Sequence, residues 1–181
     1  MLAPVELVGS SSLNWEALGA IGELVGATGV ILSLVYLGLQ IRHSSEQTNL
    51  NTRSVQATAY QNLIDHHTSL NLNLAYEPEL FELLMRAEFE GLDNLSLLEQ
   101  NRWEVFMVST LRSYLNGYYL REGGLITEEQ WQNFSFGLGT TAGRPAFSGW
   151  WHKEKQRRGF PDGFVRIVDA ETKRKEEVVQ P

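Results

Sequence analysis

The hydrophobic pattern of the chain is dominated by one stretch near its N-terminus. Residues 24–41 form an unbroken run of 18 residues without an ionised side chain. A run of this length is typical of a membrane-spanning helix rather than of a buried core helix. Trp15 and Tyr36 would lie about 31 Å apart along a helix, close to the ~30 Å hydrocarbon core of a bilayer. The sequence therefore predicts a transmembrane anchor over residues 14–41, with Asn14 as its N-cap.

Beyond the anchor, apolar residues recur at spacings of three and four, which is typical of amphipathic helices. Two prolines and two capping boxes mark expected helix starts, at Pro78, Pro145, Ser96–Glu99 and Thr127–Gln130. No strand pattern is found. The predicted fold class is all-α, a single N-terminal transmembrane helix that continues into a helical-bundle soluble domain. The predicted organisation is an external tail (1–13), the anchor (14–41), a helical stalk (42–54), a helical cytoplasmic domain (55–170) and a mobile tail (171–181).

Glycines are interpreted as helix ends in this part of the chain. Gly91 is expected to end a helix whose apolar side includes Phe81 and Phe89, and a final helix is expected from residue 161 to about 175. The helix after Thr127 is expected to break at its glycines, Gly137, Gly139 and Gly143. Residues 136–143 superficially resemble a phosphate loop but lack its Gly-Lys-Ser/Thr ending. They are expected to form a flexible connection between helices.

Basic residues are placed unevenly around the anchor. The first 17 residues contain no Lys or Arg, whereas Arg42 and Arg53 follow the apolar run. The positive-inside rule predicts an external N-terminus and a cytoplasmic C-terminal domain. Without a basic start or an A-x-A-like cleavage site, the run is interpreted as an uncleaved anchor rather than a signal peptide.

Small and polar residues follow a regular spacing along the anchor. Steps of alternately three and four residues connect Gly19, Gly22, Gly26, Gly29, Ser33, Tyr36 and Gln40. This period of 3.5 residues is typical of the seam of a left-handed helix pair, and glycines let backbones approach closely in lipid. We call these seven residues the glycine stripe. It predicts a homo-oligomer or docking on another membrane helix, although glycine is also common in membrane helices in general.

Glu23 is the acidic residue within the apolar segment of the anchor, residues 18–41. A carboxylate in the membrane core is costly unless it is protonated or paired, so a ring of Glu23 side chains in an oligomer could line an ion or proton path. The alternative is that only residues 24–41 cross the membrane, about 27 Å of helix, and that Glu23 lies near the outer headgroups.

Composition excludes several kinds of chemistry. The chain has no cysteine and a net charge of −7, so thiolate metal sites are excluded and nucleic-acid binding is disfavoured. No metal-binding His spacing and no Gly-x-Ser-x-Gly motif occurs. No catalytic residue, cofactor or metal site is predicted, and His67 is interpreted as a hydrogen-bonded core residue.

Aromatic and basic residues adjoin each other near residue 150. A helix carrying them would suit an anionic membrane surface. The alternative is that the tryptophans close the core while the basic residues face water. The residues of this possible membrane-surface contact are Trp150, Trp151, Lys153, Lys155, Arg157 and Arg158.

Several stretches also carry a family pattern: WEALGAIGELVGATGVILSLVYLGLQIRHSSEQT, VQATAYQ, YYLREGGLITEEQW and GWWHKEKQRRGFPDGFVRIVD. They resemble a family of uncharacterised bacterial membrane proteins with one N-terminal transmembrane helix. The resemblance implies an all-helical cytoplasmic domain and a place in the bacterial inner membrane. It implies no activity or cofactor. Members often have Val or Ile where this chain has Thr28 and Gly29.

The sequence thus favours a membrane-anchored, self-associating, non-enzymatic scaffold or accessory protein. Its expected partners are the lipid bilayer and either a second copy or another membrane helix. An oligomeric channel with Glu23 facing the pore is one alternative. A membrane-tethered enzyme is another, and it would need a polar cavity between the helices of residues 55–170.

Overall fold

The computed structural model describes residues 14–179, and for residues 175–179 it describes the backbone alone. Within this range the chain forms six α-helices and one 3-10 turn, with no strand. The all-α fold class is therefore confirmed. The helices are α1 (Trp15–Tyr76), α2 (Pro78–Glu90), α3 (Leu97–Glu122), α4 (Glu128–Ala142), α5 (Pro145–Arg157) and α6 (Asp162–Val179), with the 3-10 turn at Leu92–Asn94.

The chain divides into two compact units, Met1–Asn51 and Thr52–Pro181. Within the described part of the first unit, residues 15–51 are all helical and all exposed. None of the apolar window in α1 is buried, and this helix is long and apolar enough to span a membrane. Residues 42–54 continue the same helix without a break because no Gly or Pro occurs between residues 39 and 77.

The helix starts of the second unit follow local chemistry. At α3, the Ser96 backbone N–H donates to Glu99 Oε2 at 2.8 Å, and the Glu99 backbone N–H donates back to Ser96 Oγ at 3.4 Å. At α4, the same exchange joins Thr127 and Gln130 at 2.8 and 3.1 Å. Both predicted capping boxes are confirmed, as are the starts of α2 and α5 at prolines.

The core of the second unit is built mainly around α3 and α4, with α6 packed against α4. Aromatic rings fill much of it, because α3 to α6 each turn at least one ring inward. Residues with no more than 2% exposure include Leu63, Ala87, Trp103, Leu111, Tyr114, Leu138, Ala142, Phe147, Trp151, Phe164 and Val168.

The glycine-rich end of α4 is helical, so the predicted flexible connection is wrong. α4 runs through Gly137 and Gly139 and ends at Ala142, with Gly143 as its C-cap. A Cβ on Gly137 would lie 2.6 Å from Tyr114 Oη, and one on Gly139 would lie 2.6 Å from Glu171 Oε2. These glycines are therefore sites of close packing rather than helix ends, since the approach of α3 and α6 outweighs their low helix propensity.

Two further expectations need correction. Phe81 and Phe89 were assigned to the apolar side of α2, but they are 51% and 83% exposed; the packed side of this helix consists of Leu80, Leu83, Leu84 and Ala87. The last helix was expected to end near residue 175, and α6 instead extends to Val179. Residues 171–179 are therefore helical, and the side chain of Thr172 is buried.

Candidate functional site

The predicted interface residues of the anchor all lie on α1. A Cβ on Gly19, Gly22, Gly26 or Gly29 would meet nothing within 4 Å. Because their spacing alternates between three and four, the residues of the glycine stripe lie along one side of the helix. The stripe is thus an open groove in the described part of the chain.

Hydroxyl groups in this segment are satisfied by the helix itself. The Thr28 hydroxyl donates to the Leu24 carbonyl at 2.7 Å, and the Ser33 hydroxyl donates to the Gly29 carbonyl at 2.8 Å. A helix in lipid requires such internal hydrogen bonds, because the hydrocarbon core contains no water that could accept hydrogen bonds from these hydroxyl groups.

Glu23 lies on the same helix, beside the stripe. Its side chain is exposed and has no hydrogen bond or ion pair with the side chains of residues 14–174. The structure therefore leaves both interpretations of Glu23 open, because either a pore or a headgroup region would supply its partners from outside the chain.

The tryptophans near residue 150 belong to the core. Trp150 is 9% exposed and Trp151 is fully buried. Trp151 stacks on Phe147 and donates from Nε1 to Asp169 Oδ1 at 2.8 Å. Neither ring can reach a membrane surface, so this part of the predicted surface contact is wrong. α5 buries both rings because they adjoin Phe147 on its packed side.

The basic residues of the same segment are mostly engaged in ion pairs. Lys155 Nζ lies 3.0 Å from Asp169, and Arg157 and Arg158 both pair with Glu104 and Glu154. Burial would raise the pKa of Asp169, but the hydrogen bond from Trp151 and the ion pair with Lys155 lower it. These cations mainly tie α5 to α3 and α6. Contact of Lys153, Lys155, Arg157 and Arg158 with a membrane stays a prediction.

A second feature, absent from the sequence prediction, is a cavity of about 260 Å³ in the second unit. Helices α1, α2, α3 and α4 border it, together with the residue before α5. Exposed Asn71 and Thr140 lie at its outer part, and buried Leu84 and Met107 lie at its inner part. The full lining consists of His67, Asn71, Leu74, Leu84, Phe106, Met107, Thr110, Tyr114, Gly137, Thr140, Thr141 and Arg144.

His67 is held in this wall by neighbours on α3. Its Nδ1 lies 3.3 Å from Ser113 Oγ, and its Nε2 lies 3.5 Å from Tyr114 Oη. Burial lowers the pKa of His67, and the nearby His66 adds to this effect. Burial raises the pKa of Tyr114 to about 12, and a hydrogen bond with Thr141 opposes this rise. Both shifts favour the neutral rings. The prediction that His67 is hydrogen-bonded is confirmed, but the ring is half-buried in the cavity wall rather than in the core.

The His67–Ser113 pair does not form a nucleophile site. Ser113 is only 1% exposed and is absent from the cavity lining, so its hydroxyl cannot reach a bound molecule. No group of three metal-ligating side chains is found in the described residues. The polar cavity that a membrane-tethered enzyme would need is present, and that alternative remains a hypothesis.

The charged group of the cavity is Arg144. Its side chain is half-buried and forms no ion pair with the described acidic residues within 4.0 Å. Nearby Glu88 has a buried Oε2 without a hydrogen-bond partner. Burial raises the pKa of Glu88, and the charge of Arg144 opposes this rise.

Sequence reasoning missed this cavity because its residues come from positions 67 to 144 and share no spacing. The single available signal was His67 on the apolar side of its helix.

No protein-family model, no curated protein sequence and no solved structure matches the chain. The family resemblance stated above therefore stays a prediction.

Proposed function

We propose that the protein is a single-pass membrane protein whose anchor associates with a second copy through the glycine stripe. It would act as a non-enzymatic scaffold or accessory subunit in the bacterial inner membrane, with its C-terminal domain in the cytoplasm. The observation that supports this proposal best is the complete exposure of the apolar segment of α1.

The energetic scale makes water an unfavourable medium for this segment. Fourteen large apolar side chains are exposed between residues 15 and 41: Trp15, Leu18, Ile21, Leu24, Val25, Val30, Ile31, Leu32, Leu34, Val35, Tyr36, Leu37, Leu39 and Ile41. Covering them is worth on the order of 20–40 kcal/mol at the usual 1.5–3 kcal/mol per side chain. This exceeds the roughly 5–15 kcal/mol by which whole domains are stable, so a lipid or protein cover is favoured.

Self-association follows from the shape of the same segment. In lipid, apolar side chains gain little from meeting each other, so helix contacts depend on close backbone approach. The glycine stripe offers that approach, since its glycines have open space above them. Arg42 after the apolar run, with no basic residue before it, supports a cytoplasmic second unit.

The test compares two variants, with substitutions on opposite sides of one helix. Gly22→Ile together with Gly26→Ile is expected to reduce the oligomer to a monomer, measured by analytical ultracentrifugation of the full chain in detergent. Gly38→Ile is the matched control, because Gly38 is equally open but lies off the stripe. An unchanged oligomer in the double variant would refute the contact, and recovery of the native chain in the soluble fraction would refute the anchor.

Glu23 supports a second candidate, an oligomeric ion or proton channel. Its carboxylate has no partner among the described residues and adjoins the stripe, where copies would meet. Flux through liposomes containing the native chain is expected to fall strongly with Glu23→Gln. Equal flux in both proteins would count against a channel and leave the scaffold as the better proposal.

A further inference from the structure

The cavity between α1, α2, α3 and α4 has an uneven charge distribution. Arg144 contributes a positive charge to its wall, and no Asp or Glu is among the residues that line it. With His67 and Tyr114 neutral, the other polar groups are hydroxyls and an amide. The wall therefore favours a negatively charged occupant over a neutral or positive one.

Arg144 is positioned to accept such an occupant. It stands at the N-cap of α5 with its backbone bound to the helix, since its carbonyl accepts from the Phe147 and Ser148 N–H groups. The guanidinium lies near Glu88 but has no acidic partner at ion-pair distance among the side chains of residues 14–174. A planar guanidinium with free N–H groups can bind a carboxylate through two parallel hydrogen bonds.

Two more polar groups remain available at the outer part of the cavity. The side chains of Asn71 and Thr140 line it and are exposed, and neither has a side-chain hydrogen bond within the described chain. The hydroxyls of Thr110 and Thr141 are instead committed to carbonyls of their own helices, at 3.0 and 3.2 Å. Asn71 and Thr140 could thus complete the coordination of an anion beside Arg144.

The inner wall is apolar. Leu84 and Met107 are buried, and Leu74 and Phe106 are partly buried around the same space. An inorganic anion would leave this wall in contact with water. An organic anion with an apolar tail would cover it.

We propose that this cavity binds a small organic carboxylate with a short aliphatic or aromatic tail. The carboxylate lies against Arg144, with Asn71 and Thr140 as further donors. The tail extends toward Leu84 and Met107. This goes beyond the proposed scaffold role, and it holds whether or not the anchor self-associates.

The first test uses the unmodified full-length chain in lipid nanodiscs, by titration calorimetry against empty nanodiscs. Affinity is expected to rise about fourfold per methylene from acetate through butyrate to hexanoate, as each buried CH₂ contributes about 0.8 kcal/mol. Hexylamine and inorganic phosphate are expected not to bind, and 1-hexanol is expected to bind at least tenfold more weakly than hexanoate. Equal binding of hexanoate and hexylamine, or no hexanoate binding, would overturn the proposal.

The second test changes the cation. Arg144→Gln is expected to weaken hexanoate binding about 10- to 100-fold, because it removes the charged hydrogen bonds. Arg166→Gln is the matched control, since Arg166 is exposed and lies outside the cavity lining. Leu74→Ser is expected to weaken hexanoate but not acetate. If Arg144→Gln changes the melting temperature but binds hexanoate with native affinity, Arg144 interacts with Glu88 and not with a ligand. The inference is then wrong.

Discussion

Glycines occur inside helices in both units of the chain, but their surroundings differ. A Cβ on Gly22 or Gly26 of α1 would meet nothing within 4 Å, whereas one on Gly117 of α3 would lie 2.6 Å from Phe134 Cε1. In the second unit the missing side chain makes room for a ring of the same chain. In the first unit the described chain supplies no such ring. A glycine inside a helix can therefore make room for a neighbouring ring or leave the backbone open to an outside contact, and its surroundings decide between the two.

Large apolar side chains show the same contrast. Trp15 in α1 is 75% exposed, whereas Trp151 in α5 is fully buried. The second unit is therefore expected to depend on its own side chains for stability. The apolar segment of α1 is expected to depend on the surrounding medium.

The largest expected effect separates these two tryptophans. Trp151→Ala is expected to destabilise the second unit by about 3–5 kcal/mol, because it leaves a cavity against Phe147 and removes the hydrogen bond to Asp169. Trp15→Ala is expected to change this stability by less than about 0.5 kcal/mol. Denaturant midpoints of the detergent-solubilised chain measure both. Similar losses of stability in the two variants would contradict the expected difference between Trp15 and Trp151.

A smaller effect is expected for the glycines. Gly117→Ala should destabilise by about 1–2 kcal/mol, since a Cβ would crowd the rings of Trp131 and Phe134 and overpacking outweighs the gain in helix propensity. Gly26→Ala should leave the stability of the second unit unchanged. Thermal melting of the two proteins, side by side, provides the measurement. If Gly117→Ala is more stable than the native chain, α3 and α4 can move apart to accommodate the Cβ without losing stability, and the prediction is wrong.

Helix capping gives a third comparison. Ser96→Ala is expected to cost about 1 kcal/mol, because the Glu99 backbone N–H loses its acceptor at the start of α3. Ser45→Ala, in the exposed interior of α1, should have no measurable effect on unfolding. Urea denaturation is sensitive enough to distinguish these outcomes. If both variants unfold with the same free energy as the native chain, the capping box of α3 does not contribute to stability.

The smallest effect concerns pH and Glu88. Its pKa in the folded state is raised above the ordinary 4.5, so the folded chain holds this proton more tightly than the unfolded chain. The associated stability is present below pH 4.5 and is lost as pH rises through the raised value. Glu88→Gln should therefore increase stability at pH 7 by less than about 1 kcal/mol and leave it unchanged at pH 4. Exposed Glu82→Gln, on the same helix as Glu88, should change neither value.

Much of the fold could be predicted from local signals. Pro78, Pro145 and the two capping boxes start helices through contacts among three or four neighbouring residues. These helix starts can therefore be predicted from the sequence alone. Gly137 and Gly139 were misread because helix propensity is also local, whereas Tyr114 and Glu171 reach them from distant positions in the chain. Propensity differences of about 1 kcal/mol are easily outweighed by such packing.

The candidate sites were predictable to different degrees. The glycine stripe is a spacing within one helix, so the sequence gives its seven positions directly, whereas their role in a contact stays a prediction. Trp150 and Trp151 were ambiguous, since an amphipathic pattern does not say whether a core or a membrane covers it. The cavity around Arg144 could not be predicted, because it exists only where residues from several helices meet.

The burial of His67 distinguishes its ring from the other imidazoles of the chain. It is the half-buried histidine of the chain, whereas His43, His66 and His152 are exposed. In a nitrogen-resolved magnetic resonance spectrum, the His67 ring should keep its neutral signal to a lower pH than an ordinary imidazole, because burial lowers its pKa. Because that ring borders the cavity, its signal should shift when a molecule enters. In a ¹⁵N-enriched sample, His67 would thus report the proposed occupancy of the cavity without an attached probe.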